Sequence, residues 1–376
     1  MATKNVTKKN GGFLGGIVLL IIGIFTLWTN EGRTVKEQNA INEALKGYTD
    51  VSSEKINSKY EGKIIATTGK IDLSNSQELK DSKFGISVNA VKLKRVVEMY
   101  QWNESCETDE NDKETCTYEK EWTDDLIDSS EFTKAGHENP SSMKIEGDEY
   151  VASDVKVGAF NLPERLIEKI NYNKKYGNEK LEEQYKNTVE GYKINEKYIT
   201  NSVDVNEPQI GDLRISYEYA TDGEVSMIGV QSGDTLKAYT AKKGNNIFEI
   251  RRGSYTGKEI LVSKSEANKN IKWFLRILGT VLVIGGIASL FNPLQRLTDR
   301  IPVVGSIVNF STGLFSGVVG FALSLIVIAI AWFRFRPVLS IILIVVVVAL
   351  IAFLKFKGIE LPKNTSEKPS TKKAKK

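Results

Sequence analysis

The sequence predicts a membrane protein with four α-helical spans and a large β-rich, α+β domain between the first and second spans. Three observations predict this class: four long apolar runs, an acidic central segment, and basic residues near both ends. Residues 31–271 contain 44 acids and 34 bases, whereas the rest of the 376-residue chain contains 17 bases and 3 acids. This separation argues against a single soluble domain. It also argues against a nucleic-acid binder, whose bases would cluster with aromatic residues on a folded surface.

The first apolar run extends from Gly11 to Trp28 without a charge. As a helix it measures about 27 Å, which is long enough to cross a hydrocarbon core. No small-x-small cleavage site follows Trp28, so we expect a retained anchor rather than a cleaved signal peptide. We therefore predict a cytoplasmic tail at 1–12 and a first span at 13–29. Helical spacing at 34–47 predicts that the helix continues beyond the membrane.

Three further apolar runs lie in the C-terminal part of the chain. The run after residue 272 is interrupted only by Arg276, which can extend its charge to the membrane interface. The uncharged stretch between Arg300 and Arg334 is too long for one ordinary span, so we divide it. The predicted boundaries are a second span at 272–294, a cytoplasmic loop with an interfacial segment at 295–312, a third span at 313–333, a fourth span at 337–354 and a basic cytoplasmic tail at 355–376.

The basic residues beside these runs set the predicted orientation. The N-terminal tail, the loop at 295–312 and the C-terminal tail are basic, and the positive-inside rule places all three in the cytoplasm. Four spans then put residues 30–271 on the exoplasmic side. Arg334 and Arg336 are the exception, because the turn that contains them would face outward. Either the last hairpin does not cross fully, or the other signals outweigh two arginines, and we favour the second interpretation.

The predicted exoplasmic domain has the pattern of a β-rich unit. Segments rich in Val, Ile, Tyr and Thr predict strands at 63–71, 85–102, 117–122, 212–219, 224–231 and 246–251. Alternation from Leu213 to Tyr219 predicts a strand in which every second residue shares one buried face. A short helix is predicted at 162–170, and the charged stretch at 174–186 is predicted to be helical or an exposed insertion.

The two cysteines, Cys106 and Cys116, flank an acidic loop between two predicted strands. Both lie on the side predicted to be exoplasmic, so we predict a hairpin closed by a disulfide. In the chain-entropy model such a bond contributes about 3 kcal/mol. A solvated acidic turn is one alternative, and calcium is another, although this loop lacks the glycine of the EF-hand pattern. The calcium ligands would be Asp109, Asn111, Asp112 and Glu114.

The predicted spans lack the groups that intramembrane chemistry requires. They contain no HExxH motif and no paired aspartates, and Asp299 beside Arg300 indicates a surface ion pair. One histidine and two cysteines exclude a site of clustered His and Cys ligands. His137 is the candidate general base, but nearby Ser129 has no glycine-framed nucleophile motif. We therefore predict no enzyme activity, no metal site and no cofactor.

Glycine pairs in the spans predict close helix packing. A GxxxG spacing lets two helix backbones approach each other, within one chain or between chains. We therefore predict a homo-oligomer. The predicted packing residues are Gly11, Gly12, Gly15, Gly16, Gly313 and Gly317.

Several segments, in order along nearly the whole chain, resemble the transmembrane protein 43 family, also called LUMA. They are WTNEGR at 28–33, YEGK at 60–63, LKRVVEMYQW at 93–102, HENP at 137–140, GDLRIS at 211–216, NPL at 292–294, IPVV at 301–304 and WFRFRP at 332–337. The resemblance implies four spans, a large lumenal domain, both ends in the cytoplasm, oligomerisation and a scaffolding role. The sequence departs from the family in the Cys106–Cys116 loop and in the charged stretch at 174–186.

The resemblance and the residues together lead to one functional prediction. We expect a non-catalytic multi-pass protein that self-associates and organises membrane protein complexes through its exoplasmic domain. Its partners would be membrane lipids, further copies of itself and other membrane proteins, and not nucleic acid. Family resemblance implies the endoplasmic reticulum and nuclear envelope for a eukaryotic chain, whereas a bacterial chain would lie in the cell membrane. The alternative is an oligomeric channel or transporter formed by the C-terminal spans.

Overall fold

The computed structural model describes residues 11–108, 114–291, 302–342 and 345. The described residues form two compact units. The membrane unit comprises those up to Val35 and those from Lys269 onward, and the β unit comprises Lys36–Asn268. The boundary between the units falls inside two long helices, which are continuous in the chain.

Long helices dominate the membrane unit, and the short helices lie in the β unit. In the described part of the chain they are α1 Gly11–Gly47, α2 Glu164–Ile167, α3 Asn178–Gln184, α4 Gly257–Leu290 and α5 Pro302–Phe335, with 3-10 turns at Ser58–Tyr60 and Ser129–Glu131. Within these residues three helices, α1, α4 and α5, are long and apolar enough to cross a membrane. The predicted combination of membrane helices and a β-rich region is confirmed. The fourth span stays a prediction, because most of 337–354 lies outside the described residues.

Helix α5 covers both pieces into which the sequence analysis divided this stretch. Pro302–Phe335 is one continuous helix, and its part Gly313–Phe335 is long and apolar enough to cross a membrane, close to the span predicted at 313–333. Pro302 lies in the first turn, where the missing N–H costs nothing, and no later proline interrupts the helix. Its 34 residues give a length of about 51 Å, well beyond a hydrocarbon core of about 30 Å. The interfacial position of its first turns therefore stays a prediction.

The β unit contains many short strands and one long hairpin. In the described residues the strands are β1 Thr49–Ser52, β2 Ile64–Asp72, β3 Leu79–Asp81, β4 Ile86–Val88, β5 Lys92–Thr108, β6 Glu114–Thr123, β7 Asp148–Val151, β8 Lys156–Val157, β9 Phe160–Asn161, β10 Lys174–Lys175, β11 Lys193–Asn195, β12 Tyr198–Thr200, β13 Leu213–Ala220, β14 Glu224–Ser232, β15 Thr235–Lys237, β16 Tyr239–Thr240, β17 Asn246–Ile247 and β18 Glu249–Arg252.

Two sheets organise these strands, of which the first is mixed and the second is antiparallel. The first has the order β1-β2-β8-β9-β15-β14-β18, and β2 also pairs with β14, so the pairings close on themselves. The second has the order β11-β12-β13-β5-β6, with β10 beside β13 and β7 beside β5. The pairs β3–β4 and β16–β17 form separate hairpins. Strands β13 and β5 are antiparallel, from Leu213 opposite Met99 to Ala220 opposite Lys92.

The β unit shows the predicted alternation, and one strand prediction is corrected. Every second residue of β13 from Leu213 to Tyr219 is buried, as the sequence predicted. The predicted strand at 85–102 is instead two strands, β4 and β5. The charged stretch at 174–186 forms β10 and the helix α3, in line with the helical one of its two predicted alternatives. Its apolar residues, Tyr176, Leu181 and Tyr185, are buried in the core while the intervening charges face outward.

The β5–β6 hairpin carries both cysteines. Cys106 and Cys116 lie directly opposite each other in the ladder. Their Sγ atoms are 2.06 Å apart and form a disulfide. Glu104 lies beside the two sulfurs, but disulfide sulfurs cannot act as thiolate ligands. Of the four alternative calcium ligands, Asp109, Asn111 and Asp112 lie outside the described residues, and Glu114 begins β6.

Candidate functional site: a buried charge cluster in the membrane unit

Glu31 is the most unusual residue of the membrane unit. It lies on α1, three residues after the apolar run that ends at Trp28, and its side chain is 0% exposed. A buried carboxylate is costly unless it has an opposite charge and hydrogen-bond donors. The neighbouring helices supply both.

Each carboxylate oxygen of Glu31 has a donor from a different helix. Arg276 of α4 donates from Nε and Nη2 to Oε1, both at 2.7 Å. Trp332 of α5 donates Nε1–H to Oε2 at 2.9 Å. The Arg276 guanidinium carbon also lies 5.0 Å from the ring centre of Trp273 and 5.8 Å from that of Trp332, within the range of cation–π attraction. Glu31 thus joins three helices at one point.

Two further contacts tighten the helices around this cluster. Buried Asn30 donates its amide N–H to the backbone carbonyl of Lys272 at 3.0 Å. The rings of Trp28 and Phe335 meet edge to face with centres 5.7 Å apart. A Cβ on Gly32 would lie 2.8 Å from the Phe335 ring, so only glycine fits there without a shift. The WTNEGR and WFRFRP segments, at opposite ends of the sequence, therefore pack against each other.

Glycines let α1 and α4 approach closely on either side of Leu20. A Cβ on Gly16 would lie 2.9 Å from the Gly286 oxygen, and a Cβ on Gly23 would lie 2.9 Å from the Gly279 oxygen. The two glycines on each helix are seven residues apart, which is two turns, so they recur on the same face. This packing involves Gly16 from the predicted set together with three glycines that the GxxxG search missed.

Three other predicted packing glycines do not contact a neighbouring helix in the described structure, and the surroundings of Gly11 and Gly12 lie outside it. Gly15, Gly313 and Gly317 have nothing within 4 Å of an added Cβ. Gly320, one turn beyond Gly317, packs against Ile284 instead, with 2.7 Å between its ideal Cβ and that side chain. Glycine spacing alone therefore did not distinguish the glycines at helix contacts from those on open faces.

The charge cluster has the properties of a structural clamp. The charge of Glu31 is opposed by Arg276, and both of its oxygens already accept hydrogen bonds. A general base needs an accessible lone pair, and a metal ligand needs an uncommitted oxygen. Sequence reasoning treated Arg276 as a residue that reaches the interface alone, and it overlooked Glu31. The sequence did contain a signal for this ion pair, because one acid lies just after the first apolar run and one arginine lies near the start of the second.

The candidate base His137 lies in an aromatic cluster of the β unit. Its ring stacks on Tyr118 at 3.9 Å and meets Trp102 edge-on at 4.6 Å. Ser129 Oγ accepts a hydrogen bond from the Asn139 backbone N–H at 2.8 Å. His137 Nδ1 is 3.4 Å from the Lys134 carbonyl. The structure therefore places His137 in a packing contact, and within the described residues no hydrogen bond joins it to Ser129.

A second buried charge pair lies in the core of the β unit. Asp81 is 0% exposed and accepts hydrogen bonds from Arg95 Nη1 and the Tyr217 hydroxyl, both at 2.6 Å. Burial raises the pKa of the Tyr217 hydroxyl, and the hydrogen bond to Asp81 adds to that rise. Arg95 also donates Nε–H to the Glu146 carbonyl at 3.0 Å. This cluster ties β3 to β5 and β13.

Comparison with known proteins places the chain in a family. The sequence profile described as Transmembrane protein 43 matches residues 99–337. The chain belongs to the transmembrane protein 43 family. Transmembrane protein 43 of Rattus norvegicus and of Homo sapiens are each 30% identical to it over 355 residues, which is 89% of this chain and 87% of the relative. The Transmembrane protein 43 homolog of Drosophila melanogaster is 30% identical over 346 residues, 87% of this chain and 89% of the relative.

Family membership agrees with the resemblance drawn from the sequence segments. No solved structure matches the chain. The family and the three apolar helices together identify an integral membrane protein. Of the clamp residues, Arg276 and Trp332 lie within the profile match and Glu31 precedes it.

Proposed function

We propose that this integral membrane protein is a non-catalytic architectural protein. In this proposal it self-associates and organises other membrane proteins through its exoplasmic domain. The observation that carries the proposal is the Glu31 clamp. Its carboxylate is paired with Arg276 of α4 and accepts a hydrogen bond from Trp332 of α5. Such a clamp holds three helices in one arrangement and leaves no reactive carboxylate at its centre.

Open glycine faces support self-association. Gly313 and Gly317 lie on one side of α5, where an added Cβ meets no atom of the described residues within 4 Å. Their neighbours Leu314 and Val318 are also exposed. A second copy could bring its helix backbone close to this face, because van der Waals contact between small residues drives helix association in lipid.

A cleft in the β unit supports recognition of a further protein. It has a volume of about 290 Å³ and combines apolar residues with charges. Its lining includes Lys94, Val97, Leu126, Met143 and Glu146. Mixed apolar and charged surfaces are typical of non-obligate protein interfaces.

Crosslinking and mass spectrometry of the full chain in native membranes test this proposal. We expect a crosslinked homo-oligomer and crosslinks from the β unit to other membrane proteins. The double variant Gly313→Val/Gly317→Val should lose the homo-oligomer, whereas Gly285→Val, at another open position on α4, should keep it.

Two results would contradict the proposal. Recovery of monomer alone from native membranes would remove the self-association part. A conductance of the reconstituted protein in vesicles, abolished by the double variant, would favour the channel alternative over a scaffold.

A further inference from the structure

Two cations continue the clamp by one helical turn. On α4, Lys272 precedes Arg276 by four residues. After α5, Arg336 follows Trp332 by four residues, and its backbone N–H donates to the Trp332 carbonyl at 2.7 Å. Residues four apart lie on the same helix face, so both cations extend the faces that meet at Glu31. Arg276 and Arg336 lie close enough to Lys272 to repel its charge.

Neither cation of this pair has an ion-pair partner among the described residues, and Glu31 attracts Lys272 only at longer range. The carboxylate of Glu31 already serves Arg276 and Trp332. Within the described residues no carboxylate lies at ion-pair distance from Lys272 or Arg336. Arg336 Nε is buried and has no hydrogen-bond partner there. A buried donor that has lost water without gaining an acceptor is costly, so the arrangement calls for an anionic acceptor.

The surroundings of the pair fit a lipid better than a soluble anion. Lys272 Nζ lies 5.5 Å from the ring centre of Trp273, which is 52% exposed. Exposed tryptophans mark the headgroup level of a membrane. On the membrane side of the pair, Phe274 and Ile277 are exposed on α4 and offer an apolar surface to acyl chains.

Two arginines did not fit the topology predicted from the sequence, and a phosphate bound at this site would explain them. Arg334 and Arg336 lie on the side predicted to be exoplasmic, where the positive-inside rule disfavours them. Arg334, two residues before Arg336, is exposed. A phosphate bound between the helices would compensate this charge locally, because arginine and lysine are the usual phosphate donors.

We propose that Lys272 and Arg336 bind the phosphate of an anionic phospholipid, whose acyl chains lie along the exposed apolar surface of α4. Arg336 would donate Nε–H to a phosphate oxygen, and Lys272 would supply a second positive charge. This site goes beyond the proposed scaffolding function and does not depend on it.

Native mass spectrometry of the full chain in detergent tests the site with phosphatidylglycerol and phosphatidylcholine as probes. We expect the chain to retain phosphatidylglycerol in preference to phosphatidylcholine. Lys272→Gln/Arg336→Gln should lower the retained phosphatidylglycerol at least fivefold, and the charge-preserving Lys272→Arg should retain it. The matched control Lys46→Gln/Lys63→Gln removes the same charge from exposed positions of the β unit and should retain it as well.

Three outcomes would overturn the proposal. They are equal retention by the Gln variant and the unchanged chain, equal retention of the two lipids, and complete displacement of the lipid by excess inorganic phosphate. The last outcome would assign the site to a soluble anion. Thermal melting tests whether each variant folds. If the double variant does not fold, the single variant Lys272→Gln, at a partly exposed position, provides the same comparison.

Discussion

At the scale of single residues, Glu31 shows what a carboxylate does when it is buried between apolar helices. Its partners Arg276 and Trp332 come from positions 245 and 301 residues away in the chain. The apolar runs predicted that these three residues lie near span ends. Their contact could not be predicted, because it depends on the rotation of each helix about its axis. That rotation is set by packing against the other helices.

The substitution Glu31→Gln should destabilise the membrane unit. It leaves the Arg276 guanidinium, whose side chain is 13% exposed, without its counter-charge. Removing one partner of a buried pair costs roughly 3 kcal/mol or more. Denaturant unfolding in mixed micelles would measure this loss in the free energy of unfolding.

The double variant Glu31→Gln/Arg276→Met is the control for that experiment. Removing both charges should cost less than the single Glu31→Gln change, because no buried charge is then left unpaired. A double variant whose loss equals the sum of the two single losses would show that the two side chains are not coupled.

Glu104 gives the β unit a predicted sensitivity to acid. It accepts hydrogen bonds from the Tyr118 hydroxyl and from the Thr133 N–H, the latter at 2.7 Å. These bonds, the one from Tyr118 first, hold the pKa of Glu104 below its usual value. A lowered folded pKa means that the contribution to stability is present above the usual glutamate pKa of about 4.3 and is lost as pH falls through the folded value.

Hydrogen exchange of the Thr133 amide between pH 6 and pH 3 measures this effect. After correction for intrinsic exchange rates, protection should fall with acid in the unchanged chain. Glu104→Gln should show weaker protection that does not fall further in acid. Glu131 is an exposed carboxylate of the same loop, and Glu131→Gln should behave like the unchanged chain. An acid step that persists in Glu104→Gln would assign it to another group.

At the scale of elements, periodicity predicted strands and helices well where one side of the element is buried. The alternation in β13 identified a strand with one buried face, and the apolar runs identified α1, α4 and α5. The interfacial segment predicted within 295–312 stays a prediction, although α5 is continuous from Pro302. One strand boundary was wrong, because the sequence window at 85–102 merged β4 with β5. Local composition does not report which backbone groups find tertiary partners.

Close packing of α1 against α4 predicts a contrast between adjacent glycines. A Cβ on Gly286 would lie 2.7 Å from the Leu20 nitrogen, whereas a Cβ on Gly285 would meet none of the described residues within 4 Å. Gly286→Val should therefore lower the free energy of unfolding by about 1–3 kcal/mol, the usual cost of overpacking. Gly285→Val should leave it nearly unchanged. Melting temperatures in detergent would show the contrast, and equal melting of the two variants would contradict the close approach of the helices.

At the scale of the whole molecule, the charge distribution predicts which parts of the chain lie on each side of the membrane. Substitution of Arg334 by cysteine places a reactive thiol at an exposed position. The native cysteines form a disulfide and should not compete for the label. A membrane-impermeant maleimide should react with this thiol from the exoplasmic side.

Ser366→Cys, in the C-terminal tail, is the matched site for that experiment and should react only from the cytoplasmic side. Labelling of position 334 from the cytoplasm would overturn the four-span prediction. It would also place Lys272 and Arg336 on the inner side of the membrane.

The sequence by itself determined the class of the molecule: apolar runs long enough to span a membrane, an acidic β-rich region between them, and the family to which the segments point. These properties depend on composition and local periodicity, which a single sequence contains. The tertiary structure decided that Glu31, Arg276 and Trp332 form one clamp, that Gly286 packs while Gly285 does not, and that Lys272 and Arg336 extend the clamp. Those pairings join residues far apart in the chain, and only the mutual rotation and depth of the packed helices determine which side chains meet.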